Sequence, residues 1–143
     1  MIWVLDTDHI SLFQREDPYV IKRLQLKSPQ ELAITVVSYE EQLRGWLKFI
    51  HRSSNHQQLI FGYGKLNEAL GFFCSKQVLN FTPVAVAQYT DLMSQKLRVG
   101  TQDLRIASIV LSIGGTLVTR NRRDFERIPG LNIEDWSFRE FKN

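Results

Sequence analysis

Residues 4–10 read Val-Leu-Asp-Thr-Asp-His-Ile, an apolar run that stops at two carboxylates, Asp6 and Asp8, one residue apart. Three kinds of chemistry fit that spacing. Asp6 could be a nucleophile with Asp8 as its general acid, as in a haloacid-dehalogenase-type phosphatase. It could be one carboxylate of a metal site assembled from distant parts of the chain. It could also do no more than cap a short helix. Three further acids stand near the ends of apolar runs or of helices: Glu41, Asp103 and Asp124. Each has a local alternative. Ser38-Tyr39-Glu40-Glu41 reads as a capping box, Asp103 suits the positive end of a helix, and Asp124 sits among arginines as a surface ion pair would. Brought together, the acids would repel, and a divalent cation would relieve that repulsion. Hard oxygen donors without Cys or His pairs favour Mg²⁺, or Mn²⁺, over Zn²⁺. Such a site activates water and stabilises an in-line phosphoryl displacement. The histidines read as non-ligands: His51 and His56 are five apart, and His9 has no partner in sequence. No phosphate-binding glycine loop of either common type occurs.

The elements that must hold these residues alternate between short apolar runs and helical patterns. Strands are expected over 2–5, 33–37, 78–81, 116–119 and 131–133. Helices are expected over 9–14, over 17–26 with Asp17 as cap and Pro18 in its first turn, from Ser38 to 50, and over 57–75, 84–98 and 102–113. Short buried strands separated by helices indicate an α/β fold with a parallel sheet of about four to five strands and helices on both faces. In such sheets chemistry gathers beyond the carboxyl ends of the strands, where these acids fall.

Bulk properties set wider bounds. The 143 residues suit one domain, 1–143. At 43% hydrophobic, 23% charged and 11% aromatic, the chain has an ordinary globular composition. The single cysteine, Cys74, excludes an intrachain disulfide, fits a reducing cytoplasm and reads as a buried filler in an apolar segment. No run approaches the roughly 20 apolar residues that cross a bilayer, and the start lacks the pattern of a secretory signal, so no membrane is expected. Net charge is only +3, but the basic residues cluster. Residues 120–127 hold four arginines, and Arg44, Lys48, His51 and Arg52 fall mostly on one helical face. Both groups suit phosphate contacts.

Four stretches together resemble the PIN-domain family, and within it the VapC-like ribonuclease toxins: "VLDTDHI" (4–10), "AITVVSYEEQLRG" (33–45), "GTQDLRIASIVLSIGGTLVTRNRRDF" (100–125) and "IPGLNIEDW" (128–136). The resemblance implies a three-layer α/β/α sandwich and Mg²⁺-dependent endoribonuclease activity. It also implies a cognate antitoxin as partner, and a homodimer. Carried over position by position, the family acids fall on Asp6, on Glu41 with Gly45 four residues on, and on Asp103. Glu41 is thereby preferred to Glu40, and Gly45 leaves that helical face clear for a ligand. The fourth acid falls on Asp124, since the position where some relatives place Asp is Asn121 here. Asp8, where many relatives have Asn, Thr119 and Asn121 are then supporting groups, with Asn121 orienting water or Asp103. Arg120, Arg122 and Arg123 would lie near the RNA backbone. A non-catalytic PIN-like module that binds RNA or protein is the alternative from a different class.

Overall fold

The computed structural model describes residues 1–138. Five strands, β1 (Trp3–Leu5), β2 (Leu32–Thr35), β3 (Val78–Leu79), β4 (Thr116–Val118) and β5 (Asn132–Glu134), form one sheet in the order β3-β2-β1-β4-β5. Every pairing is parallel. Seven α-helices and a 3₁₀ turn (Pro29–Glu31) connect the strands: α1 (Thr7–Gln14), α2 (Pro18–Gln25), α3 (Val36–His51), α4 (His56–Cys74), α5 (Pro83–Ser94), α6 (Thr101–Ser112) and α7 (Arg122–Phe125).

Alternation along the strands divides the core in two. Val4, Ala33 and Leu117 point into a cluster with Leu92, Leu104, Ile106, Val110 and Phe125, from α5, α6 and α7. Their neighbours Leu5, Ile34 and Val118 point the other way, onto Ile10, Val20, Leu24, Phe73 and Trp136. The result is the expected three layers, with helices on both faces of a buried parallel sheet. Among the described residues no helix is long and apolar enough to cross a membrane.

Several boundaries differ from the expectation. Val36 and Val37, expected in strand two, open α3 instead, because Thr35 caps the helix: its Oγ1 accepts from the Ser38 N–H at 3.1 Å. The third strand stops at Leu79 rather than residue 81. Helix α5 ends at Ser94, not 98, since Lys96 and Arg98 adopt left-handed backbone with φ of 52° and 55°. The short helix α7 was not expected. Cys74 is exposed rather than buried. It sits in the last turn of α4, whose buried residues are Gly62, Ala69 and Phe73.

Candidate active site

The β1–β2 and β1–β4 registers place the carboxyl ends of the three central strands side by side. Asp6 follows β1, Thr35 ends β2, and Thr119 follows β4. Asp6 is buried, and it caps α1 through Oδ1, which accepts from the Thr7 N–H at 2.8 Å. Its Oδ2 accepts from Thr119 Oγ1, also at 2.8 Å. The backbone Asp6 N–H bonds Val118 O, so the main chain fixes the residue as well. Capping and site geometry are therefore two functions of one carboxylate.

Glu41 lies one turn and a half into α3. The cap at Thr35 sets the phase of the helix, so Glu41 is not bonding its own helix start as a capping box from Ser38 would require. Thr7 Oγ1 donates to Glu41 Oε1 at 3.0 Å and lies equally close to Ser38 Oγ, which ties the start of α1 to α3. Asp103, in the first turn of α6, is half-buried, and its carboxylate meets Asn121 Nδ2 at 3.5 Å. The same amide donates to Asp124 at 3.1 Å, so Asn121 bridges the two acids.

Electrostatics reports the crowding. Burial pushes the Asp6 carboxyl up to about 7, with Asp8 and then Asp103 adding like charge against the lowering effect of the Thr119 and Thr7 hydrogen bonds. Burial likewise raises Glu41, with Asp103 and Glu40 adding to it against the bond from Thr7. Asp103 is raised by burial, then by Asp124 and Asp8. Acids from four separate elements thus feel one another, and no Lys or Arg is paired with Asp6, Glu41 or Asp103 among the described residues. Asp124 faces the Arg127 guanidinium at 3.8 Å.

Known proteins are similar to the chain in both sequence and structure. No protein-family model matches the chain. Ribonuclease VapC1 of Haemophilus influenzae is 29% identical over 141 residues, covering 96% of this chain and 99% of the relative. The tRNA(fMet)-specific endonuclease VapC of Salmonella typhimurium is 39% identical over 70 residues, covering 46% and 53%. The structure of DNA-bound VapBC from Salmonella typhimurium superposes with a TM-score of 0.77 at 27% identity, covering 95% of this chain and 98% of its counterpart. The chain resembles VapC proteins over nearly its whole length. Its parallel five-stranded sheet with flanking helices is the PIN-like fold of those structures.

Asp6, Glu41, Asp103 and Asp124 stand around one end of the sheet: Thr119 holds Asp6, Thr7 holds Glu41, and Asn121 bridges Asp103 and Asp124. Asp8 stands one step back. Its Oδ1 meets His9 Nδ1 at 2.7 Å, while its Oδ2 accepts from the Arg120 N–H at 3.1 Å and faces Thr119 Oγ1 at 3.3 Å. Held on both oxygens, Asp8 braces the turn after β4 rather than standing free as an acid beside Asp6. The residues missed from sequence are Thr7, Ser38, His9 and Trp136. His9 is fully buried, and its Nε2 accepts from the Trp136 backbone N–H at 3.1 Å. That contact assigns the ring proton to Nδ1, the donor to Asp8. The partners lie 127 residues apart, so only the buried polar character of an Asp-His pair after a strand hinted at them. Of the arginines, Arg122 pairs with Glu126 and Arg127 bonds Arg98 O. Arg120 and Arg123 are exposed beside the site.

Proposed function

We propose that the chain is an endoribonuclease that hydrolyses RNA phosphodiester bonds with Mg²⁺, or Mn²⁺, and acts as the toxin of a toxin–antitoxin pair. The observation that carries this reading is the convergence of Asp6, Glu41, Asp103 and Asp124, from four elements, at the carboxyl end of the central strands. The donor set fits a hard divalent cation: all are carboxylates, three are pushed up by burial and mutual repulsion, and among the described residues none of those three forms an ion pair, Arg44 acting on Glu41 only as the weakest influence. Among the described residues no group of three His, Cys, Asp or Glu side chains forms a ready-made cage. One or two direct carboxylates with water completing the shell is the arrangement Mg²⁺ prefers. Asp6 and Asp103 would hold the ion, with Glu41 and Asp124 completing the pocket.

When bound, the cation supplies Lewis-acid charge and water activation at the scissile phosphate. The chain supplies the rest. Thr119 and Thr7 hold the Asp6 and Glu41 oxygens in place. Asn121 keeps Asp103 and Asp124 in register despite their like charge. Arg120 and Arg123 offer countercharge to the RNA backbone. A cognate antitoxin as partner and a homodimeric state belong to the same reading; the VapBC structures that the chain resembles support the antitoxin.

The test is cleavage of a mixed cellular RNA by purified protein with Mg²⁺, with EDTA, and by Asp6→Asn protein. Cleavage should require the cation and fall at least about a hundredfold in the variant. Full cleavage by Asp6→Asn protein free of contaminating nuclease would overturn the mechanism.

A further inference from the structure

Helix α3 does more than present Glu41. At 100° per residue, Glu41, Gly45, Lys48 and Arg52 fall within one narrow stripe, spanning roughly 16 Å along the axis. Arg44 and His51 flank it on one side. Lys48 and Arg52 are exposed and make no ion pair or side-chain hydrogen bond among the described residues, whereas Arg44 is held by Glu40 at 2.6 Å. Two uncompensated cations therefore continue directly from a site acid along a rigid helix. A shallow depression lined by Gly45, Lys48, Arg52 and Ser53 runs beside them.

Gly45 is the second observation. It sits inside a 16-residue helix, where glycine is less stable than alanine. It is exposed, and a Cβ built there meets no atom within 4 Å. Gly62 differs: a Cβ on it would strike Ile50 and Phe49 side chains at 2.8 and 2.9 Å. Packing within the chain thus explains Gly62 and gives no reason for Gly45. The bare backbone lies one turn beyond Glu41 and one turn before Lys48, where something outside the chain can come close.

We propose that this stripe of α3 is a track for the single-stranded RNA backbone leading away from the scissile phosphate, which passes over the bare Gly45 and is held by Lys48 and Arg52. The proposal rests on the ribonuclease reading, and RNA is the occupant favoured by continuity with that site and by unpaired positive charge. Single-stranded backbone bends over a narrow stripe, and phosphates match cations spaced along it.

The test uses full-length protein and a fluorescein-labelled single-stranded RNA oligonucleotide. Binding is followed by anisotropy across a salt series on the Asp103→Asn background, and cleavage on the otherwise wild-type background. Lys48→Ala/Arg52→Ala should reduce the slope of log K against log salt by about 1.4, at about 0.7 per lost phosphate contact. It should raise KM severalfold with kcat nearly unchanged. Gly45→Ala should raise the melting temperature yet weaken RNA binding, a pairing that a purely structural role would not give. Unchanged slope and KM in the double variant, with intact wild-type cleavage, overturn the track alone and leave the stripe to an acidic protein segment. Wild-type protein that neither binds nor cuts RNA overturns the ribonuclease reading and the track with it.

Discussion

Asp6 and Asp8 look equivalent in sequence and are opposites in the structure. Asp6 is buried, with its carboxyl pushed up to about 7 from 3.8, so the folded state holds a proton there that the unfolded chain releases near pH 4. A raised carboxyl contributes stability that is full below the unfolded value and is lost as pH rises through the folded one. In EDTA, the wild-type melting temperature should therefore fall relative to that of Asp6→Asn between about pH 4 and pH 7, then run parallel. A constant difference across that window, by differential scanning fluorimetry, would show that Asp6 ionises normally. Asp8 is bound by His9, the Arg120 N–H and Thr119. Asn there keeps one acceptor oxygen but turns an NH₂ toward a donor. Asp8→Asn should cost about 1–3 kcal/mol in urea denaturation while retaining kcat within about tenfold. The first acid was legible because its run ends so abruptly. The role of Asp8 was only partly legible, because Arg120 lies 112 residues away and His9 acts through Trp136.

At the scale of elements, α3 was legible as a helix but not in its start. Thr35 and Ser38 are both good N-caps, three residues apart, and local rules do not choose between them. The sheet chooses: Thr35 pairs with Leu79 as the last residue of β2, and its buried hydroxyl accepts from the Ser38 N–H at 3.1 Å while donating to Ser38 Oγ at 3.4 Å. That choice rotates Glu41 toward Thr7. Thr35→Val keeps the shape and removes the acceptor. It should cost about 1–2 kcal/mol and lower single-turnover cleavage beyond what the unfolded fraction explains. Equal losses in stability and rate would reduce Thr35 to a stabilising cap. Helix α4 failed differently. Its apolar end, where Cys74 follows Phe73, suggests burial for both, but the helix turns Phe73 inward and leaves Cys74 exposed. The strands were legible to within a residue or two because each is a short apolar run with polar ends.

At the scale of the whole molecule, the four acids come from separate elements, and among the described residues only Arg127, 3.8 Å from Asp124, forms an ion pair with any of them. A cation that binds only this assembled set stabilises the fold by mass action, by about 2.7 kcal/mol at a hundred times its dissociation constant. Mg²⁺ should raise the melting temperature of the wild type, and Asp103→Asn should abolish most of the increase. An equal increase in both proteins would place the ion elsewhere. The strand order β3-β2-β1-β4-β5 has one more consequence, in time rather than space. Asp6 and Glu41 emerge early from the ribosome, but the Thr119 hydroxyl that holds Asp6 follows 113 residues later, and Trp136 later still. Contacts of such long sequence separation close last and slowly. A nascent chain therefore carries half its acids without the other half. The proposed nuclease has no assembled acidic site until the segment that follows β4 has been made.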